Sequence, residues 1–115
     1  MMGINNVYSR IGLAQKAGKL VSGAFGCEKS IKSGQAELVI VTEDASLNTR
    51  KKFEQMCNFY VVKFRFFGKK ELMGRYLGKD NRSVAAVLDF NLSKLIIDSI
   101  DNLENYTGVK DIEKN

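Results

Sequence analysis

The chain has 115 residues, of which 44% are hydrophobic and 27% are charged, and it carries a formal net charge of +5. This length suits one domain, and the composition excludes a disordered or collagen-like chain. Histidine is absent, which excludes histidine-based nucleophile pairs and His-ligated zinc, and no apolar stretch reaches the ~20 residues that cross a bilayer.

The first elements in chain order are a helix, a short strand and a second helix. The first helix is predicted from apolar residues at steps of three and four, namely Ile4, Val7, Ile11 and Ala14. Gly18 is expected to end it, and a strand of two or three residues follows at Leu20. Ser22 or Gly23 is expected to cap the second helix, which Gly34 closes. Its predicted outer face carries Phe25, Lys29 and Lys32.

The middle of the chain predicts a buried strand and a third helix. Residues 37–42 form an apolar β-branched run, typical of a strand with both faces covered. Asp44 or Ser46 is expected to cap the helix that follows. We expect that helix to bury Leu47, Phe53, Met56 and Cys57.

The second half predicts two more strands and two more helices. A strand is expected over 61–65, a helix over 69–77, a strand over 83–88 and a last helix from 92 to about 103. Its apolar face is predicted to hold Leu92, Leu95, Ile96, Ser99, Ile100 and Leu103. Alternating helices and strands predict an α/β fold in which a small sheet is covered on both faces. We expect one α/β domain over 1–104 and a flexible acidic tail over 105–115.

The charge is unevenly distributed along the chain. Residues 1–88 carry a net +8 and residues 89–115 carry a net −3. A basic body indicates a polyanionic partner, with RNA or DNA as the first candidates. The two cysteines, Cys27 and Cys57, have no CxxC spacing and are expected to be reduced core residues.

Three segments are candidates for binding. The helix that begins at Gly23 can attract anions through its free amides, with Lys29 adding charge, but its chemistry alone favours an ordinary capped surface helix with solvated lysines. Glu43 and Asp44 follow a strand, where a carboxylate can accept from a base amino group or simply cap the next helix. Arg82, in a polar loop, can pair with phosphate or stack on a base, or stay solvated.

Phe25 is a large apolar residue on the outward face of the second helix. It can stack on a base, cover a neighbouring loop or belong to a protein interface. We expect it to pack within the fold.

Three segments in fixed order, 12–23 (GLAQKAGKLVSG), 31–46 (IKSGQAELVIVTEDAS) and 69–87 (KKELMGRYLGKDNRSVAAV), resemble the L7Ae/L30e superfamily of kink-turn RNA-binding proteins. The small bacterial, YlxQ-like branch is the most similar, and the resemblance covers about residues 4–97. It implies a three-layer α/β/α sandwich around a mixed four-stranded sheet, as in L30e. It also implies binding to tandem sheared G·A pairs by one helix N-terminus, with a nearby loop covering a flipped-out nucleotide.

The resemblance places the RNA contacts on twelve residues. The family's best RNA binders have Asn and Glu at the positions of Phe25 and Gly26, so two groups that would read guanine edges are missing. Such contacts are each worth on the order of 1–3 kcal/mol of discrimination. The implied RNA-binding residues are Lys19, Gly23, Ala24, Phe25, Gly26, Lys29, Lys32, Glu43, Asp44, Arg82, Ser83 and Val84.

Two functional hypotheses follow. The first is a non-catalytic, cytoplasmic RNA-binding protein, monomeric, with structured ribosomal or kink-turn RNA and ribonucleoprotein components as partners. The second is a protein-interaction module on the same fold, with Phe25 as its apolar anchor. We expect no enzymatic activity, cofactor, metal or membrane contact, because no residue set suited to such chemistry is present.

Overall fold

The computed structural model describes the backbone of residues 3–114 and the side chains of residues 3–103. Nine elements follow one another within this part of the chain, and they alternate between helix and strand throughout. They are α1 (Gly3–Lys16), β1 (Leu20–Ser22), α2 (Ala24–Lys32), β2 (Leu38–Val41), α3 (Leu47–Tyr60), β3 (Lys63–Phe66), α4 (Lys70–Tyr76), β4 (Val84–Val87) and α5 (Phe90–Lys114).

The four strands form one mixed sheet in the order β1-β4-β2-β3. Strand β4 is antiparallel to both of its neighbours, whereas β2 and β3 are parallel. The carboxyl ends of β1, β2 and β3 therefore meet the amino end of β4 at one end of the sheet, called the upper end below. The opposite end is called the lower end.

The sheet is covered on both faces, as predicted. Within β2, Leu38 and Ile40 belong to a core with α1, α4 and α5, whereas Val39 and Val41 belong to a core with α2 and α3. This alternation follows from the two-residue period of a strand. The fold is therefore the expected α/β/α sandwich around a mixed four-stranded sheet.

The predicted glycine boundaries are confirmed. Gly18 and Gly34 follow α1 and α2 with φ of 74° and 80°, the left-handed conformation that glycine adopts without strain. The start of α3 is also settled: the Ser46 hydroxyl accepts a hydrogen bond from the Thr49 N–H at 3.2 Å. Ser46 is thus the cap of α3, and the alternative that Asp44 caps it is wrong.

Three details of the prediction are wrong. Leu47, the first residue of α3, is 63% exposed, and Leu95 on α5 is 47% exposed, so neither belongs to the core. Strand β3 begins at Lys63 instead of residue 61, because α3 continues to Tyr60 and Val61 forms its left-handed cap.

The last helix is longer than expected. Helix α5 extends to Lys114, whereas the sequence pattern predicted an end near Leu103. Side chains beyond Leu103 lie outside the described residues, so the flexibility predicted for residues 105–115 stays a prediction.

Candidate nucleic-acid interface

The upper end of the sheet brings four connections together. The Gly23 N–H donates to the Val84 carbonyl at 2.9 Å, and the Thr42 N–H donates to the Ser83 carbonyl at 2.8 Å. The Glu43 N–H donates to the carbonyl of Gly68, also at 2.8 Å. These bonds tie together the β1–α2 junction, the α4–β4 loop, the β2–α3 turn and the β3–α4 turn. Five of the twelve predicted binding residues lie in these connections: Gly23, Glu43, Asp44, Arg82 and Ser83.

Helix α2 begins at this end without a side-chain cap. Gly23 stands at the N-cap with φ 92° and ψ 155°, and it provides no side-chain cap. No acidic residue lies in the first turn of the helix either. No carboxylate in the first turn of α2 therefore offsets the positive end of the helix dipole. Such a helix start favours the binding of an anion.

Arg82 is fixed beside this helix start. Its Nε donates to the Ser22 hydroxyl at 3.1 Å, and its Nη1 donates to the Asn81 carbonyl at 3.1 Å. Its backbone N–H donates to the Lys70 carbonyl at 3.0 Å. The guanidinium is thus held in place by two neutral oxygen atoms, neither of which offsets its positive charge.

An open groove of about 720 Å³ lies between the helix start and the α4–β4 loop. We call it the upper groove. Its lining includes two cationic side chains, Lys79 and Arg82, and the aromatic ring of Phe25. A surface that binds both the phosphate and the base of a nucleotide is expected to combine such groups. The residues that define it here are Gln15, Ser22, Gly23, Phe25, Lys79 and Arg82.

Close packing fixes the loop that carries Arg82. A side chain at Gly74 of α4 would overlap the Asp80 carbonyl oxygen. The Lys79 N–H in turn donates to the Gly74 carbonyl at 2.7 Å. The absence of a side chain at position 74 therefore lets the loop fold back against α4.

Asp44 has a different partner from the one predicted. Its carboxylate accepts a hydrogen bond from the Lys70 N–H at 2.9 Å and so supports the start of α4. Burial alone would raise the pKa of Asp44, but this backbone hydrogen bond and the Lys70 charge bring it below its ordinary value of 3.8. Glu43 is exposed beside it. Asp44 is ionised at neutral pH, with one oxygen already engaged.

Tyr8 supports the same turn from below. Its hydroxyl oxygen accepts a hydrogen bond from the Lys69 N–H at 2.9 Å. Burial raises the pKa of the Tyr8 hydroxyl above its ordinary value of 10.0, although the Lys69 bond opposes that change. The hydroxyl is therefore neutral at physiological pH, and it holds the turn that precedes α4.

Val84, predicted to help cover a flipped nucleotide, is buried. It is 2% exposed and belongs to the core between the sheet and helices α2 and α3. Its contribution to the upper end is its carbonyl, which accepts from Gly23. Ser83, just before it, is partly exposed.

Two predicted binding residues lie away from the upper groove. Lys19 is at the lower end, where its carbonyl accepts from the Leu88 N–H at 2.8 Å. Lys32 is in the last turn of α2, with its ammonium 2.9 Å from the Glu28 carboxylate. Lys29 is exposed one helical turn after Phe25, so it lies between the two ends.

Phe25 does not pack within the fold, and that prediction is wrong. Its side chain is 82% exposed, next to Ala24, which is also exposed, and it lines the upper groove. Gly26, the next residue, is partly buried against Val21. The aromatic ring is therefore available for contact with another molecule.

Sequence reasoning missed three residues of this groove, one of which, Ser22, was considered only as a possible cap of α2. Lys79 lies in the same polar loop as Arg82, which the sequence analysis proposed as a binding residue. The positive charge of Lys79 is the signal that could have identified it as well. Gln15 lies on α1, where its amide donates to the Leu77 carbonyl at 2.7 Å. Nothing in the local sequence around Gln15 indicates a place in the groove.

The described residues offer little for catalysis or metal binding. Cys27 and Cys57 are free and buried. Burial raises the pKa of Cys27 to about 12 and that of Cys57 to about 11, so both stay protonated. The described part of the chain holds no cluster of three metal-binding side chains, and no helix in it has the length and hydropathy needed to span a bilayer.

Comparison with known proteins agrees with this architecture. An RNA-binding protein YlxQ from Bacillus subtilis (strain 168) is 41% identical over 91 residues, which cover 79% of this chain and 91% of that protein. An RNA-binding protein YlxQ from Enterococcus faecium is 36% identical over 85 residues, covering 73% and 81%. The large ribosomal subunit protein eL8 of Cenarchaeum symbiosum (strain A) is 27% identical over 110 residues, covering 91% and 87%.

Solved structures share the fold. A protein of unknown function from Bacillus halodurans matches with a TM-score of 0.79 and 34% identity, over 83% of this chain and 96% of that one. The Giardia lamblia 15.5kD RNA binding protein matches with a TM-score of 0.69 and 21% identity, over 85% and 84%. The family model described as the ribosomal protein L7Ae/L30e/S12e/Gadd45 family matches residues 5–97, and the chain belongs to this family.

Proposed function

We propose that this protein binds structured RNA through the upper groove and the adjoining outer face of α2. The observation that carries the proposal is the meeting of three features in one groove. These are the uncapped start of α2, the fixed guanidinium of Arg82 and the exposed ring of Phe25. The first two features suit the phosphates of a nucleotide strand, and the third suits a base.

The chemistry divides between phosphate and base. The first-turn amides of α2, Arg82 and Lys79 offer charge and donors to phosphate oxygens, and Lys29 extends that charge along the helix. Phe25 offers an aromatic face on which an unpaired base can stack. The relatives named as RNA-binding proteins add support.

The kink-turn is the first structured RNA to consider. The family resemblance implies reading of sheared G·A pairs by Asn and Glu, and here Phe25 and Gly26 replace them. Neither side chain can hydrogen-bond a guanine edge, so we expect binding to depend on charge, helix-start amides and stacking. Discrimination between a kink-turn and a plain duplex should accordingly be smaller than two base-edge contacts would give.

A salt-titrated comparison tests the proposal. Dissociation constants are measured for a kink-turn RNA, a plain duplex and a single strand at several salt concentrations. We expect the kink-turn RNA to bind most tightly, with Lys29→Ala weakening it and reducing the salt slope by about one unit. Lys19→Ala is the matched control, since it removes one lysine from the lower end and should change affinity little. Equal affinities in wild type and Lys29→Ala, without salt dependence, would falsify the proposal.

A second candidate is a protein-interaction surface on the same fold. The 82% exposure of Phe25 is the observation that favours it, because exposed aromatic residues often anchor protein interfaces. Phe25→Asp separates the two: loss of a bound protein with unchanged RNA affinity would favour this candidate. Loss of RNA affinity would favour the first.

A further inference from the structure

A second aromatic surface lies at the lower end, where α3 terminates. Phe59 is 77% exposed and Tyr60 is 40% exposed, and their rings meet edge to face with centroids 4.9 Å apart. They line an open groove of about 410 Å³, called the lower groove. It shares no lining residue with the upper groove, and it consists of Lys32, Lys52, Gln55, Met56, Phe59 and Tyr60.

These aromatic rings are not needed by the core. Helix α3 already contributes Phe53 and Cys57, both fully buried, from its inner face. Val61, which follows Tyr60, is 89% exposed and has a φ of 58°, a conformation that β-branched residues rarely adopt. Three consecutive large apolar side chains therefore face solvent wholly or in part, and an exposed apolar patch of this kind commonly marks a binding surface.

The charge around the lower groove is positive. Lys32 and Lys52 each lie 2.9 Å from the carboxylate of Glu28, so one carboxylate is shared by two ammonium groups. Helices α2 and α3 together carry five lysine or arginine residues against two glutamates. Aromatic faces beside surplus ammonium groups match the two chemical parts of a nucleotide strand, its bases and its phosphates.

Helix α2 connects the two grooves. Phe25 lies in its first turn at the upper groove, Lys29 one turn later, and Lys32 in its last turn at the lower groove. At 1.5 Å per residue, Phe25 and Lys32 are about 10 Å apart along the axis. About three stacked nucleotides span that distance.

We propose that the lower groove binds an unpaired RNA strand that extends from the structured RNA held at the upper end. Bases of the strand stack on Phe59 and Tyr60, and its phosphates lie near Lys32 and Lys52. This inference rests on the proposed function and narrows its ligand class to structured RNA with a single-stranded extension.

The experiment compares one RNA with and without an extension. The kink-turn RNA is prepared blunt, with a tail of about eight uridines on its 5′ end, or with the same tail on its 3′ end. We expect one tail to tighten binding to the wild-type protein by at least about fivefold, the low end of one base–aromatic stack. Phe59→Ala should abolish that gain and leave the affinity for blunt RNA unchanged.

Phe90→Ala is the matched control. Phe90 is also an exposed phenylalanine, at 62%, but it starts α5 and does not line the lower groove. Its removal should leave the gain from the tail intact. Because both phenylalanines are exposed, both variants should fold, which thermal unfolding verifies.

The outcomes separate this inference from the proposed function. Tight binding of blunt RNA with no gain from either tail overturns the inference and leaves the proposed function standing. A gain that survives Phe59→Ala also overturns it. Failure of all three RNAs to bind removes both proposals, and a change in sedimentation of the free protein on Phe59→Ala assigns the groove to self-association instead.

Discussion

Both ends of the sheet expose aromatic side chains and cations, but the backbone conformation beside these side chains differs between the two ends. At the upper end, Gly23 combines a positive φ of 92° with an extended ψ of 155°, which glycine adopts without strain, and hydrogen bonds hold Arg82 and the start of α4. At the lower end, the β-branched Val61 adopts the left-handed conformation with φ 58° and ψ 50°, and the nearby Phe59 is exposed on the last turn of α3. The upper end is thus a fixed array of donors, whereas the lower end is a strained helix terminus with an apolar surface.

The difference indicates how one small domain can meet two parts of a ligand. Fixed donors suit a structured target, because their positions are set before binding and little order is lost. Stacking rings suit an unstructured strand, because every base has a π face. The following variants test whether the two ends behave in these separate ways.

The largest effect is expected from Gly74→Ala at the upper end, as a loss in the free energy of unfolding. The added methyl group would overlap the Asp80 carbonyl, so the 79–82 loop must move. Overpacking of this kind typically costs about 1–3 kcal/mol in the free energy of unfolding, and here we expect the top of that range. Gly26→Ala is the control, since its methyl would make ordinary contacts with Val21. Urea unfolding measures both variants, and equal stabilities would contradict the packing described.

Next in size is the RNA affinity of Arg82→Lys. The substitution keeps the charge but removes the planar fork that bonds the Ser22 hydroxyl and the Asn81 carbonyl. We expect structured RNA to bind roughly tenfold more weakly, equivalent to ~1.4 kcal/mol, with an unchanged salt slope. Lys16→Arg, an exchange on an exposed residue that does not line the upper groove, should have no effect. Unchanged affinity of Arg82→Lys for structured RNA would mean that Arg82 acts as charge alone.

The support that Asp44 gives to α4 should depend on pH. Asp44→Ala removes the acceptor of the Lys70 N–H and should cost about 1 kcal/mol at pH 7. Because the folded pKa of Asp44 is below its ordinary 3.8, its stabilisation is complete above that value and is lost as pH falls through the folded pKa. The difference between variant and wild type should therefore shrink below about pH 4.

Ser46→Ala provides the control for this titration. It removes the cap of α3, a hydroxyl that does not ionise in this range, at a comparable cost. Its penalty should stay constant from pH 7 to pH 3. A constant penalty for Asp44→Ala as well would show that its carboxylate charge contributes nothing.

The smallest effect is expected from Val61→Gly at the lower end, as a gain in the free energy of unfolding. Glycine adopts a φ of 58° without steric cost, whereas valine there is strained. We expect a gain of about 1 kcal/mol in the free energy of unfolding, measured by urea unfolding, and no change in affinity for blunt structured RNA. Destabilisation would show that the exposed Val61 side chain makes favourable contacts.

The sequence predicted the fold well because its signals are local. The apolar run around Val39 and the glycines at 18 and 34 identify buried strand and helix ends without tertiary information. The cap of α3 could not be predicted from local sequence, because both Asp44 and Ser46 have side chains that can cap a helix. The tertiary structure decides between them: α4 begins at the upper end, and Asp44 accepts a hydrogen bond from the first residue of that helix. Val61 was read as strand because its β propensity outweighs any signal for a left-handed cap.

The candidate site was harder to predict than the fold. Lys19 and Lys32 are basic and close in sequence to Gly23, yet the direction of β1 and α2 carries both to the lower end. Val84 is buried because it lies in β4, a central strand of the sheet. The prediction grouped it with the loop residues Arg82 and Ser83, and so it missed this burial. Exposure of Phe25 and Phe59 depends on what lies opposite each helix, and periodicity alone does not specify that.

The burial of both cysteines has a practical consequence for spectroscopy. Thiols with pKa values of about 12 and 11, enclosed in the core, react slowly with maleimides near neutral pH. A new cysteine placed on the surface, as in Phe59→Cys or Lys51→Cys, would then be the one fast-reacting thiol in the chain. Fluorophores or spin labels can therefore be attached at chosen positions while the native cysteines stay in place.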